Sequence, residues 1–374
     1  MIFPEDMPRI DALIAGQEGL ERVDRETIEA IQLKKLNRLL AREKERGGFY
    51  RDLPERLFSL ADLPSLPFTT DEQLAANAPG LLLRSQSEIS RVLSDATSGT
   101  TGAAKRVFYT EGDCERTVEF FMAGLGELIA EAVSRLGARP LKLGAAGTYG
   151  EWSEIMQREK PDSFVGMPVQ LLRLLRVCGR GSRRRALVSG DLCPAAVMEG
   201  CEELLGSRLF PHYGSREMCL GGAITCPAHA GMHLRENHVI AEIVDEDGKV
   251  LPPGEYGELV ITTIGMEAMP LIRYRTGDHT RILPGPCPCG SEALRLDAVS
   301  RRDGGEEMAA LDEILFRLPF VADYRAERHN GRLHLEILTC GEGELPPLDA
   351  QITKRPARPE DGALYRSKRR IENS

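Results

Sequence analysis

The stretch Thr97-Ser98-Gly99-Thr100-Thr101-Gly102-Ala103-Ala104-Lys105 decides how this chain is read. Glycines let a backbone approach phosphate oxygens, hydroxyls and amides donate to them, and a closing lysine adds a positive charge. The run therefore has the composition of a loop that wraps a polyphosphate. It is not a Walker loop, because only two residues separate Gly102 from Lys105 and the pattern G-x-x-x-x-G-K-[ST] is absent. Alone, such a run is equally a surface turn. Its flanks give it a setting: Glu88-Ile89-Ser90-Arg91-Val92-Leu93 reads as a strand entering the loop and Val107-Phe108-Tyr109 as a strand leaving it.

Two downstream segments belong with the loop, Tyr213-Gly214-Ser215-Arg216-Glu217 and Tyr274-Arg275-Thr276-Gly277-Asp278. In this order and separation the three resemble the adenylate-forming (AMP-binding) superfamily. The span from Leu63-Pro64-Ser65-Leu66-Pro67-Phe68-Thr69-Thr70 to Ile272-Arg273-Tyr274-Arg275-Thr276-Gly277-Asp278 resembles its phenylacetate–CoA ligase branch. The resemblance covers most of the chain. It implies an α/β protein with the adenylate-forming enzyme fold: a large N-terminal α/β domain over residues 1–300, and a small, abbreviated C-terminal α+β lid over 301–374.

The chemistry implied is attack of a carboxylate on the α-phosphorus of ATP, giving an acyl-adenylate and pyrophosphate, then transfer to coenzyme A. Both reactants are anionic, so positioning and charge neutralisation supply most of the acceleration. By resemblance, Thr97, Ser98, Gly99, Thr100, Thr101, Gly102 and Lys105 hold the β- and γ-phosphates. Tyr213 lies against adenine, Gly214 and Ser215 also bind the nucleotide, with Ser215 able to contact the α-phosphate, Glu217 coordinates Mg²⁺, and Asp278 accepts the ribose hydroxyls, a role that suits an acceptor-only carboxylate. Arg301, in Ser300-Arg301-Arg302-Asp303, approaches the ribose at a hinge, and Lys368 is the mobile lysine bridging carboxylate and phosphate. The acid pocket is sought among Gly144, Gly147, Thr148, Tyr149, Gly150 and Trp152, with Met167 and Gly190. An aryl acid such as phenylacetate is the implied substrate.

Departures from the family pattern mark where the chain has its own character. Ala104 replaces a proline of the loop, Arg216 stands where a serine or threonine meets the α-phosphate, and Ser367 stands for a glycine before Lys368. The stretch from Phe121 to Gly147 is short, and Gly304-Gly305-Glu306-Glu307 lacks the glycine-rich loop that meets the pantetheine thiol. Adenylation is accordingly better supported than thioester formation. Two alternatives stay open: a nucleotide-binding homologue without turnover, and an adenylating enzyme with a protein or peptide acceptor.

Nine cysteines, an odd number, argue against a disulfide framework. Cys287-Pro288-Cys289-Gly290 sets two thiols in a turn, and Cys226-Pro227-Ala228-His229-Ala230-Gly231-Met232-His233 adds a thiol and two imidazoles. The resembled family carries cysteine, histidine and C-x-C in these places, which implies Cys226, His233, Cys287 and Cys289 as ligands of a closed structural Zn²⁺ site. His229 and Cys219 are the substitutes.

Composition sets the remaining bounds. In 374 residues, 42% are hydrophobic and 28% charged, the balance of a globular protein with ample core. A net charge of −9 argues against a surface-wide nucleic-acid groove. No apolar run reaches membrane-spanning length, and the start Met1-Ile2-Phe3-Pro4-Glu5-Asp6 is not that of a signal peptide, so a cytoplasmic protein is expected. The expected partners are a small carboxylic acid and coenzyme A, with no nucleic acid or membrane; a homodimer is one open assembly state. Helical spacing is predicted over residues 9–46, from Thr110 to about 135, after Pro168 and over 311–318. Strands are predicted at 163–166, 186–189, 239–244, 258–263, 321–328 and 332–339, and a loop over 341–361.

Overall fold

In a computed structural model of the chain, the residues described are 7–94, 105–121, 133–135, 137–141, 147–181, 185–191, 193–301, 305–365, 369 and 371–373. They divide into two compact units, one of residues 1–123 with 212–300 and one of 124–211 with 301–374.

The first unit opens with two helices, α1 (Arg9–Glu18) and α2 (Arg25–Arg46), where the sequence pattern read as one helical stretch. Gly19, in the left-handed region at φ 69°, ends the first, and the Asp24 carboxylate caps the second by accepting from Thr27 N–H at 2.8 Å. Ile28, Leu36, Leu39 and Leu40 recur at helical spacing and are buried. A short helix α3 (Asp71–Asn77) follows, started by a reciprocal capping box between Thr70 and Gln73. Strands β1 (Ile89–Ser94) and β2 (Arg106–Thr110) then pair antiparallel, as the flanks of the glycine-rich loop predict, and β2 runs into α4 (Glu111–Phe121).

The second unit begins with α5 (Tyr149–Glu159), β3 (Ser163–Gly166), α6 (Pro168–Cys178), β4 (Arg185–Val188) and α7 (Ala195–Leu205). Strands β3 and β4 pair in parallel. Pro168 opens α6 at its first turn, where the missing N–H costs nothing, and Leu171, Leu172, Leu174 and Leu175 are all buried. Strand β5 (Phe210–Tyr213) carries the chain from one unit to the other: Phe210 and Pro211 pair with β4, His212 and Tyr213 with the next strand.

Back in the first unit, β5, β6 (Ala223–Thr225), β7 (Met232–Leu234) and, later in the chain, Arg295–Leu296 form an antiparallel run. Strands β8 (Ile240–Val244), β9 (Gly257–Thr262) and β10 (Tyr274–Thr280) make a second antiparallel sheet with β9 in the middle, and β9 is buried along its whole length. Beyond residue 300 the chain returns to the second unit with α8 (Gly305–Leu315), which starts six residues before the predicted helix. A four-stranded sheet follows around the antiparallel pair Val321–His329 and Arg332–Thr339. Its parallel outer strand, Gln351–Pro356, lies where a loop was expected; its side chains are largely exposed, so it carried no apolar pattern.

By contact, residues 124–211 group with 301–374. Val169, Leu171, Leu172 and Leu175 of α6 share one apolar core with Leu311, Leu315, Phe316, Val321 and Tyr324. Inside that unit the buried guanidinium of Arg173 donates to Asp323 at 2.7 Å, and Arg176 donates to the Phe316 carbonyl at 2.7 Å. The division after Ser300 falls where the lid was expected to begin, but the segment packed with the lid sequence is the stretch of parallel strands before β5.

Candidate active site and cysteine cluster

Strand β5 ends at Tyr213, and the chain turns at once through a single helical turn, Arg216–Met218, that carries Glu217 inward. The turn is tight. A Cβ on Gly214 would sit 1.8 Å from the Leu220 carbonyl oxygen, so only glycine fits there. Cys219 and Leu220 close the turn in the left-handed region, at φ 52° and 65°, a strained conformation for residues with side chains. The Tyr109 hydroxyl of β2 steadies it by donating to the Arg216 carbonyl at 2.6 Å.

Strand β10 supplies the facing groups. Its first residue is held firmly: Arg273, just before it, donates twice to Glu242 at 3.0 Å and to the carbonyls of Pro64 and Leu66 at 2.8 and 2.7 Å. Thr69 N–H donates to the Arg273 carbonyl, and Arg275 N–H to the Thr69 carbonyl, which lays the start of α3 beside Tyr274. Four elements thus bring four side chains to one point. The Lys105 ammonium lies 2.7 Å from Glu217 Oε1, 3.0 Å from Asp71 Oδ1 and 2.9 Å from the Tyr274 hydroxyl. Tyr274 in turn donates to Asp71 Oδ1 and lies 3.4 Å from Glu217 Oε1.

The charges in this cluster support one another. Burial pulls the Lys105 ammonium toward its neutral form, but Glu217 and then Asp71 outweigh it and the net shift is upward. Burial likewise pushes the Glu217 carboxyl up, and the charge and hydrogen bond of Lys105 outweigh it, holding Glu217 below the ordinary carboxylate range. Burial first, then Glu217 and Asp71, drive the Tyr274 phenol far upward, so it stays a neutral donor. Farther along β10, Asp278 Oδ2 accepts from the Tyr213 hydroxyl at 2.8 Å. Burial and Asp278 together raise that phenol well above its usual range and keep its proton in place.

Of the residues named from the sequence, Lys105, Tyr213, Gly214, Ser215, Glu217 and Asp278 all fall in the first unit, on β5 and its turn, just before β2, and on β10. Thr97, Ser98, Gly99, Thr100, Thr101, Gly102, Gly144 and Lys368 lie outside the described residues, as does the side chain of Arg301. Asp71 and Tyr274 were not singled out. Tyr274 sits inside the quoted motif, whereas Asp71 looked like an ordinary acidic residue in a first helical turn.

The acid-pocket candidates are in the second unit. Thr148 caps α5 in a reciprocal box with Glu151, and Tyr149 and Trp152 are buried, 1% and 5% exposed. Their rings meet edge to face at 5.7 Å, and Arg173 lies over both, at 5.8 and 5.4 Å. Gly150 N–H donates to the Pro359 carbonyl at 2.7 Å, and Gly190 takes φ 85° beside Met167. Within this unit Thr148, Tyr149, Gly150 and Trp152 pack against the 357–363 segment.

The cysteines converge as the resemblance implied. The donor atoms of Cys226, His233, Cys287 and Cys289 all lie within 4.8 Å of one another, the only such cluster among the described residues. Cys226 Sγ is 3.7 Å from Cys287 Sγ, and Cys289 Sγ is 3.4 Å from His233 Nε2. With a Zn–S bond of ~2.3 Å and a Zn–N bond of ~2.0 Å, the edges of a tetrahedron come to about 3.8 and 3.5 Å, so the donor set fits a four-coordinate zinc ion. His233 Nδ1 is 2.9 Å from the Ala293 carbonyl, an outer partner that leaves Nε2 free to bind metal. Cys219 lies elsewhere, its thiol directed to the Asp113 carbonyl at 3.7 Å.

The chain is similar to known proteins in sequence and in fold. Residues 136–268 match the family described as AMP-binding enzyme. The chain is 30% identical over 334 residues to a phenylacetate-coenzyme A ligase of Thermus thermophilus, covering 76% of this chain and 73% of that protein. It is 31% identical over 306 residues to a phenylacetate-coenzyme A ligase of Aromatoleum evansii, covering 71% and 69%. Among solved structures, a 2-hydroxyisobutyryl-CoA ligase in complex with 2-HIB-AMP superposes with a TM-score of 0.74 over 92% of this chain and 89% of that one, at 18% identity, a likeness of fold.

Proposed function

The chain belongs to the phenylacetate–CoA ligase branch of the AMP-binding enzyme family, and from that premise we propose that it activates a carboxylic acid with ATP and passes the acyl group to coenzyme A. A carboxylate oxygen attacks the α-phosphorus, the bond to the β-phosphate oxygen breaks, and pyrophosphate leaves. The coenzyme A thiol then attacks the acyl carbon, the thioester forms, and AMP departs with the bonding oxygen. The relatives' names point to an aryl acid, and phenylacetate is the first to try.

The observation that carries this reading is the meeting of Lys105, Glu217 and Tyr274 at one point of the unit that also holds the Tyr213–Asp278 pair. Asp278 accepts the ribose hydroxyls there and Tyr213 lies against the base. Lys105 offsets phosphate charge, and Glu217 offers a hard oxygen to Mg²⁺, which lowers the charge on the phosphates when bound. Thr97 to Gly102, Arg301 and Lys368 keep the roles that the sequence resemblance gives them. Cys226, His233, Cys287 and Cys289 hold a structural zinc ion that joins the chain after β6 to the chain after β10; four protein ligands leave no position for a reacting water. Among the described residues no helix is long and apolar enough to cross a membrane, and the cytoplasm, which supplies ATP and coenzyme A, is the proposed setting.

The test is exchange of labelled pyrophosphate into ATP across a library of aryl and short-chain acids, followed by coenzyme A consumption with the acids that respond. Exchange that depends on an aryl acid, and acyl-CoA in equal amount to AMP, is the expected result. Exchange without coenzyme A consumption would move the acceptor to a protein or peptide, and no exchange with any acid would remove the activity.

A further inference from the structure

Lys105 has two carboxylate partners where one would neutralise it. Its three N–H donors meet three acceptors, Glu217 at 2.7 Å, Asp71 at 3.0 Å and the Tyr274 hydroxyl at 2.9 Å, so the ammonium is fully satisfied. The two carboxylates differ in kind. The Glu217 side chain is 7% exposed and that of Asp71 is 58% exposed. Separating a buried carboxylate from its lysine strands a charge unless another cation takes the lysine's place, and the lysine is stranded too unless it keeps an anion. Asp71 is that anion. It is held at the right place by the cap at Thr70 and by the pairing of Thr69 with Arg273 and Arg275. The Tyr274 hydroxyl accepts from Lys105 and donates to Asp71, which ties the two together.

We propose that Asp71 is a positioning residue for the metal-dependent step: with Tyr274 it retains the Lys105 ammonium, so that Glu217 can exchange its lysine for a divalent cation. The inference rests on the assignment of Glu217 as metal ligand made above. Because Asp71 is solvated, it does not win the lysine outright, and Glu217 stays the first partner until a cation competes for it. Removing Asp71 would leave Lys105 to Glu217 alone and make that carboxylate harder to release.

The experiment is Mn²⁺ binding, read by electron paramagnetic resonance of the free ion, to the full chain saturated with α,β-methylene-ATP. Asp71→Asn should weaken Mn²⁺ binding about three- to tenfold, the scale of one partly exposed ion pair. Tyr274→Phe, which changes no charge, should shift it in the same direction, the double variant should be no weaker than the weaker single, and Asp71→Glu should restore binding. Asp71 is exposed and phenylalanine nearly isosteric with Tyr274, and melting curves recorded alongside confirm folding. Mn²⁺ affinity unchanged in Asp71→Asn and Tyr274→Phe, while Glu217→Gln loses it, would overturn the role of Asp71 alone. Unchanged affinity in Glu217→Gln would overturn the metal assignment and the inference with it.

Discussion

Tyr213 and Asp278 show how single residues divide the work at this site. The phenol, buried and beside a carboxylate, keeps its proton and donates it to Asp278 Oδ2, so that oxygen is held in one orientation. Asp278→Ala removes the acceptor and leaves Tyr213 its ring. Loss of a hydrogen bond to a charged group costs about 1.5–3 kcal/mol, so ATP affinity in a calorimetric titration should fall roughly 10- to 150-fold with the fold intact. Unaltered affinity would remove Asp278 from the site. One residue earlier than Tyr213, His212 is buried in β5, and burial alone depresses its pKa to about 3. An unfolded histidine titrates near 6.5, so the folded form binds its proton less readily than the unfolded one. The stability His212 allows is present in full above about pH 6.5 and falls as pH drops toward 3, at about 1.4 kcal/mol per unit. Denaturant titrations between pH 6 and 4 should therefore show a shallower loss for His212→Gln than for the parent, and parallel slopes would contradict it.

At the level of elements, local signals and long-range partners were legible to different degrees. Strands β1 and β2 around the glycine-rich loop, the helix opened by Pro168 and the strands of the β8–β9 pair are legible from alternation, caps and breakers, which act over a few residues. Gln351–Pro356 was read as loop because an exposed strand in parallel pairing is defined by its neighbour and not by its own side chains. The β5 turn is marked by Tyr213, Gly214 and Glu217, yet Asp71, 146 positions before Glu217, has no signal, since its two partners, Lys105 and Tyr274, come from two other parts of the chain. The cysteines were the reverse case, a sparse pattern that folding gathers into one cluster. That cluster gathers the segments leaving β6 and β10, so a metal bound there would tie the chain after the Tyr213 turn to the chain after Asp278. Elemental analysis should find about one zinc per chain, and Cys287→Ser with Cys289→Ser should lower zinc content and melting temperature together. No zinc, or an unmoved melting curve, would return these residues to free thiols.

For the molecule as a whole, the order of the motifs points to the family and the adenylate-forming fold, and the comparisons agree on both. What a one-dimensional reading missed is that residues 124–211 share a core with the C-terminal segment, because Arg173 and Asp323 meet across 150 positions with no local pattern to announce it. The groups proposed to bind nucleotide, Lys105, Tyr213, Glu217, Tyr274 and Asp278, all lie within the other unit. The central claim is that a carboxylate oxygen attacks the α-phosphorus of ATP, and oxygen transfer tests this most directly. An acid found active by exchange, labelled with ¹⁸O in its carboxylate, is turned over with ATP and coenzyme A, and the products are weighed by mass spectrometry. The account predicts AMP carrying one ¹⁸O and pyrophosphate carrying none; label in inorganic phosphate with ADP as the nucleotide product, or unlabelled AMP, would contradict it.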